Sequence, residues 1–270
     1  MSKITSLFVR TWISISMLLV LTISANEIKS MEKALGTICA MRINTQKAMK
    51  YYMLKALHSN FKNPQKELTQ TILRIDHKFK AVSSFLVENE IEKKALTMSQ
   101  NAWKDLKPYL EENPSYTKAK ELQISLSNLS GSLEKMSIDL RKLAIQDTGR
   151  KGITIACLAA RQRMLSEKIA ALSLMRVWKL KDDKYESMLM KSIKLFETSM
   201  LSLKKVPYNT PIISTLLAKV DKEFFYIKIM LTEHIFSPTI ALVSKRSEKL
   251  LKISTAIHTE YKKTIWKKKQ

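Results

Sequence analysis

Residues 155–175 of this 270-residue chain read IACLAARQRMLSEKIAALSLM. At 3.6 residues per turn, apolar side chains fall on nearly every side of this stretch, which predicts a buried helix. Its alanines are strong helix formers that let a second helix approach closely, and they are Ala156, Ala159, Ala160, Ala170 and Ala171. Arg163 lies on the apolar stripe of this helix. Because an unpaired buried charge costs several kcal/mol, Arg163 requires a carboxylate, backbone carbonyls or an external anion as partner.

The composition predicts an all-α protein. Gly and Pro are rare, at 4 and 6 residues, and a chain of this length can bury a core without metals or disulfides. The net charge is +23. Because the lysines and arginines are spread along the whole chain, with no base-reading module among them, specific nucleic-acid binding is not expected.

No catalytic or cofactor pattern stands out in the sequence. The four histidines are scattered and lack metal-ligand spacing; they are His58, His77, His234 and His258. There is no Ser-His-Asp arrangement and no phosphate-cradling glycine loop. The sequence therefore predicts no enzyme activity, no cofactor and no metal site.

The N-terminus has the pattern of a secretory signal peptide. Lys3 and Arg10 precede the apolar residues 12–23, and Ser24-Ala25-Asn26 follow. We expect residues 1–25 to be removed after Ala25 and the mature protein to be periplasmic, exported across the inner membrane. An uncleaved N-terminal anchor is the alternative.

Apolar periodicity and turn residues predict eight helices, at residues 27–61, 65–86, 88–110, 116–146, 153–181, 183–204, 212–234 and 237–266. Gly149 and Gly152 separate the first four from the last four. The predicted fold is all-α, with two tandem four-helix up-down bundles of long helices at residues 26–147 and 148–270. Whether the bundles lie side by side or end to end is left open.

The two halves align at an offset of 121 residues (163 − 42). At this offset the segment from Arg42 to Lys47 meets the segment from Arg163 to Lys168, with Arg on Arg, Thr45 on Ser166 and Gln46 on Glu167. Trp103 meets Phe224 at the same offset. We interpret the agreement as an internal duplication.

The segment RQRMLSEKIA, residues 161–170, resembles the signature of the N-terminal domain of type IV pilus methyl-accepting chemotaxis transducers. That PilJ-type domain is related to the periplasmic sensor domain of nitrate/nitrite sensor kinases. Residues 39–52 look like a degenerate copy. The resemblance implies two tandem PilJ-type domains in a sensor-like module that binds a small ligand, such as nitrate or nitrite, through Arg163 and Arg42. It also implies a membrane sensor or transducer, or another envelope protein, as partner; a homodimer is compatible with it.

Arginine suits a planar oxyanion because its guanidinium is always charged and presents a fork of donors. Two arginines brought together across a seam repel each other unless an anion lies between them. The other predicted ligand-binding residues lie one turn beyond the arginines and are Thr45, Gln46, Ser166 and Glu167. The alternative is structural: Arg163 pairs with Glu167, and the hydroxyls bond back to their own helix.

Cys39 and Cys157 are the only cysteines, one in the first helix of each half. A disulfide between them requires those helices to lie side by side, and two buried free thiols are equally compatible with the sequence. A different function also stays open. A non-catalytic structural or interaction bundle would use its basic surface to dock on an acidic protein or an anionic envelope surface.

Overall fold

The structure, a computed structural model, describes residues 28–88, 92–180, 182–232 and 239–267. These residues form eight α-helices and no strand, which confirms the all-α class. The helices are α1 (Met31–Ala56), α2 (Pro64–Glu88), α3 (Lys93–Glu111), α4 (Tyr116–Thr148), α5 (Ile153–Val177), α6 (Asp183–Lys204), α7 (Pro211–Thr232) and α8 (Ile240–Lys267). The predicted signal peptide, residues 1–25, lies outside the described residues, as does the predicted start of the eighth helix.

Local capping chemistry sets several helix ends. The Ser30 and Ser115 hydroxyls accept hydrogen bonds from the backbone N–H groups three residues later, at the start of α1 and α4. Gly149 ends α4 with a positive φ of 66° and donates its N–H to the carbonyl of Ile145. The chain therefore turns at Gly149, and α4 does not continue into α5.

In each half, the helices contact one another in a closed ring, and the two halves meet chiefly at one contact, between α1 and α5, which we call the seam. α1 packs against α2 and α4, and α3 packs against α2 and α4; α5 to α8 repeat the same arrangement. The seam is an extensive contact between α1 and α5. Arg150, just before α5, pairs with Glu32 in the first turn of α1, and Glu167 pairs with Lys50 further along both helices. The two first helices are therefore parallel neighbours, and the two halves lie side by side.

Buried positions recur between the two halves at the offset of 121 residues. In α2 and α6 the corresponding buried residues are Leu68, Ile72, Ile75, Phe79, Val82 and Leu189, Ile193, Phe196, Met200, Leu203. In α3 and α7 they are Leu96, Trp103, Leu106, Leu110 and Leu217, Phe224, Ile227, Leu231. In α4 and α8 they are Leu122, Leu129, Met136, Leu140 and Val243, Leu250, Ile257, Tyr261. Each half thus turns the same faces inward, in the same register.

An ion pair follows the same offset. Lys107 Nζ lies 2.8 Å from Asp76 between α2 and α3, and Lys228 Nζ lies 2.7 Å from Glu197 between α6 and α7. This interhelical ion pair therefore repeats together with the packing.

The seam helices are the most deeply buried. Residues 48–54 of α1 and 169–175 of α5 are buried at every position, because each helix is surrounded by three or more others. This confirms the predicted buried helix. No helix among the described residues combines the length and the apolarity that crossing a bilayer needs.

Candidate functional site

A cavity of about 440 Å³ lies beside the seam. The first halves of α1 and α5 and the last turns of α8 line it, and α2 contributes Lys78. Apolar wall residues such as Leu35, Ile153 and Ala160 alternate with cationic and thiol side chains. The volume is typical of pockets for small organic molecules.

Arg163 is the predicted ligand residue that lines this cavity. It is half-buried, and no described carboxylate lies within ion-pair distance of it. Its Nε is buried without a hydrogen-bond acceptor. Burial lowers the pKa of the guanidinium, against the opposing influence of Cys39 and Glu167. Among the described residues, Arg163 therefore has no carboxylate in an ion pair with it.

His258 and three lysines, Lys33, Lys78 and Lys262, bring further basic groups to the cavity wall. The Nδ1–H of His258 donates to the carbonyl of Ala156 at 3.1 Å. Burial, and then the charges of Arg163 and Lys262, lower the pKa of His258 to about 4, so the imidazole is neutral near pH 7. Burial and the charge of Arg74 lower the pKa of Lys78.

One carboxylate also lines the cavity, but it is already engaged. Glu32 lies 3.2 Å from Nη1 of Arg150. The cavity wall therefore carries more cationic than anionic side chains, namely Arg163, Lys33, Lys78 and Lys262 against Glu32.

Cys39 and Cys157 face each other across the seam and line the same cavity as free thiols. A hydrogen bond from the Cys157 thiol lowers the pKa of Cys39, and the charges of Arg42, Arg141 and Arg163 act in the same direction against burial. The same hydrogen bond and burial raise the pKa of Cys157. The side-by-side packing that a disulfide requires is present.

Arg42, the counterpart of Arg163, lies outside the cavity. Its Nη2 is 3.0 Å from Oε2 of Glu134 on α4, and its side chain is only 8% exposed. The structure thus does not bring Arg42 and Arg163 to one ligand. Arg42 is paired within the protein, whereas Arg163 faces the cavity.

The other four predicted ligand residues do not line the cavity. Thr45 and Ser166 donate their hydroxyl hydrogens to the carbonyls of Arg42 and Arg163, both at 2.8 Å, so they bond back to their own helices. The side-chain amide of Gln46 is buried without a hydrogen-bond partner. Glu167 pairs with Lys50 at 2.6 Å and not with Arg163.

Sequence reasoning missed Lys50, which is buried in the seam. It lies between Glu167 and Glu248, and Glu248 also pairs with Lys62. The signal was present in the sequence, because Lys50 interrupts an apolar run in the same way that Arg163 does. Sequence reasoning also missed Glu134, because its ion pair with Arg42 depends on the packing of α4 against α1.

No family model, curated protein or solved structure matches this chain. Among the residues that the structure covers, no three His, Cys, Asp or Glu side chains are arranged to hold a metal ion. What the fold and the cavity define is an all-helical protein with a cationic, ligand-sized cleft.

Proposed function

We propose that this protein is a periplasmic, sensor-like module that binds a small anion at Arg163 and signals to a membrane partner. The role is binding and not catalysis. The observation that carries the proposal is the state of Arg163, which is half-buried, without a carboxylate partner among the described residues, and on the wall of a 440 Å³ cavity.

The electrostatics of the cavity favour an anion. Charge–charge attraction is stronger in a partly desolvated cleft than in water, and a guanidinium fork binds a planar oxyanion with two parallel hydrogen bonds. Because Arg163 has no carboxylate partner among the described residues, an anion stabilises the occupied state relative to the empty one. A ligand with such a preference shifts a conformational equilibrium, as a sensor requires.

The domain organisation belongs to the same proposal. We infer two tandem four-helix bundles of the PilJ type, at residues 26–147 and 148–270, with the first copy degenerate. The recurrence of buried positions and of the Asp76–Lys107 ion pair at an offset of 121 residues supports a duplication. The periplasmic location rests on the sequence of residues 1–25 alone.

Titration calorimetry and thermal shift with nitrate, nitrite and other small oxyanions test the proposal. We expect saturable binding that Arg163→Ala abolishes. Arg161→Ala is the matched control, because Arg161 is a half-buried arginine on the same helix that does not line the cavity. Absence of binding by every anion tried, or equal binding by the two variants, would refute the assignment of the site.

A further inference from the structure

We propose that the anion is a small organic monocarboxylate whose carboxylate pairs with Arg163 while its apolar part fills the cavity. This inference rests on the proposed function and names the chemical class of its ligand. It comes from the contrast between Arg42 and Arg163, which occupy equivalent positions in the two halves.

The first half shows which group forms an ion pair with this arginine. Arg42 on α1 pairs with the carboxylate of Glu134 on α4 at 3.0 Å. A protein carboxylate therefore occupies the position of the anion in the first half, so that half supplies its own counter-charge.

The second half lacks that carboxylate. The residue 121 positions after Glu134 is Thr255, on the helix that packs against α5 as α4 packs against α1. The Thr255 hydroxyl donates to the carbonyl of Leu251 in its own helix. Thr255 itself does not line the cavity, whereas Arg163 does, with its Nε buried and without a hydrogen-bond acceptor. A ligand carboxylate restores there the pairing that Glu134 provides to Arg42.

The size of the cavity selects an organic ligand over an inorganic ion. A water molecule takes up about 30 Å³ in the liquid, so a four-atom oxyanion fills only a small part of 440 Å³. The rest of the wall includes Leu35, Ile43 and Ile153, whose apolar surfaces gain from contact with hydrocarbon. A carboxylate joined to a short apolar group satisfies both parts of the cavity.

A single negative group is enough to pair with the guanidinium of Arg163, and the lysines Lys33, Lys78 and Lys262 add further positive charge to the cavity wall. Arg163 lacks a partner among the described carboxylates, and His258 is neutral near pH 7. A monocarboxylate balances the one guanidinium. It also accepts two hydrogen bonds in a plane, as Arg163 can donate them.

Calorimetry with the full chain tests the ligand class, using acetate, hexanoate, benzoate and sodium nitrate, with hexanamide and benzamide as uncharged analogues. We expect hexanoate and benzoate to bind more tightly than acetate and nitrate by at least about tenfold, because they bury apolar surface. The amides should bind at least about tenfold more weakly than the acids, because they lack the charge. Arg163→Gln should lower the affinity for the acids by a similar factor, and Arg161→Gln should leave it unchanged.

The outcomes separate this inference from the proposed function. If nitrate binds in an Arg163-dependent manner and the larger carboxylates do not, the site is real but the ligand class is wrong. If the amides bind as tightly as the acids, the carboxylate is not recognised and the inference fails. If no anion binds, both proposals fail. Helical circular dichroism of Arg163→Gln, and of Arg163→Lys, which retains the charge, establishes that any loss of binding is not a loss of fold.

Discussion

The ammonium of Lys50 lies 2.6 Å from the carboxylate of Glu167, and each side chain is only 1% exposed. This pair joins α1 to α5 and therefore ties one half of the protein to the other. Glu248 on α8 lies 3.6 Å from the same ammonium and adds a third element to the cluster. A fully buried ion pair contributes little net stability over apolar packing, but loss of one partner leaves an uncompensated charge.

Lys50→Met should lower the free energy of unfolding by about 3 to 5 kcal/mol, because Glu167 is left charged and buried. The double variant Lys50→Met/Glu167→Leu should be more stable than Lys50→Met alone, because neither charge remains. Chemical denaturation measures both values. Lys47→Met is the matched control, since Lys47 lies on the same helix and its contact with Glu67 is longer, at 3.7 Å, and more exposed. A double variant less stable than Lys50→Met would contradict this account.

Glu134→Thr places in the first half the residue that the second half has at the equivalent position, Thr255. We expect a loss of stability of about 1 to 3 kcal/mol, since Arg42 stays buried while Glu134 is partly exposed. Acetate should then raise the melting temperature of this variant more than that of the unsubstituted protein, because it supplies the missing carboxylate.

Asp139→Thr is the control for acetate rescue, because Asp139 lies on the same helix in an exposed pair with Lys142. Its melting temperature should not respond specifically to acetate. Equal acetate effects on the two variants would mean that the Arg42 site does not accept an external carboxylate.

Stability should fall on acidification through His258. Its pKa is about 4 in the folded protein and near 6.5 in an unfolded chain, so between these values the unfolded state binds more protons. The contribution of His258 to the free energy of unfolding is therefore fully present above about pH 6.5 and is lost as the pH falls towards 4. The loss amounts to at most about 3 kcal/mol.

His258→Gln should make the free energy of unfolding less dependent on pH between pH 4 and 6.5, because the variant takes up about one proton fewer on unfolding. Thr259→Gln, at an exposed position next to His258 on α8, is the matched control and should leave the profile unchanged. Denaturation at a series of pH values provides the measurement. An unaltered slope in His258→Gln would mean that this histidine titrates normally in the folded state.

Oxidation should join Cys39 to Cys157, because both free thiols line the same cavity from the two sides of the seam. A thiol oxidant such as diamide should lower the mass of the intact protein by two hydrogens. The bond would close a loop of over a hundred residues, for which chain entropy predicts a stabilisation of up to about 5 kcal/mol. Cys39→Ser should show neither effect. Failure of the unsubstituted protein to form the bond under denaturant-free conditions would contradict the seam geometry.

Helix positions were predictable because their causes are local. The ends of α4 and α6 lie within two residues of the predicted ends, since Ser115, Gly149 and Asp182 act on the backbone beside them. The register of 121 residues was predictable from the arginine segments, and the buried faces of all four helix pairs follow it.

The partners of the charged residues were not predictable in the same way. The segment around Arg42 and the segment around Arg163 are alike, yet one arginine pairs with Glu134 and the other lines a cavity. Glu134 lies 92 positions after Arg42 in the chain, and nothing near either residue indicates that they meet. Glu167 likewise pairs with Lys50 across the seam and not with Arg163 one turn away.

The fold class, the helices and the register of the two halves could therefore be predicted from the sequence. The helical period, the capping residues and the internal similarity along the chain were sufficient for this. These properties depend on interactions within one helix or on comparison of residues in order. The packing of α1 against α5 decided which helices are neighbours. It also decided which buried charges are neutralised and where a cavity remains. Contacts between distant segments depend on all the helices at once, and no single stretch of sequence encodes them.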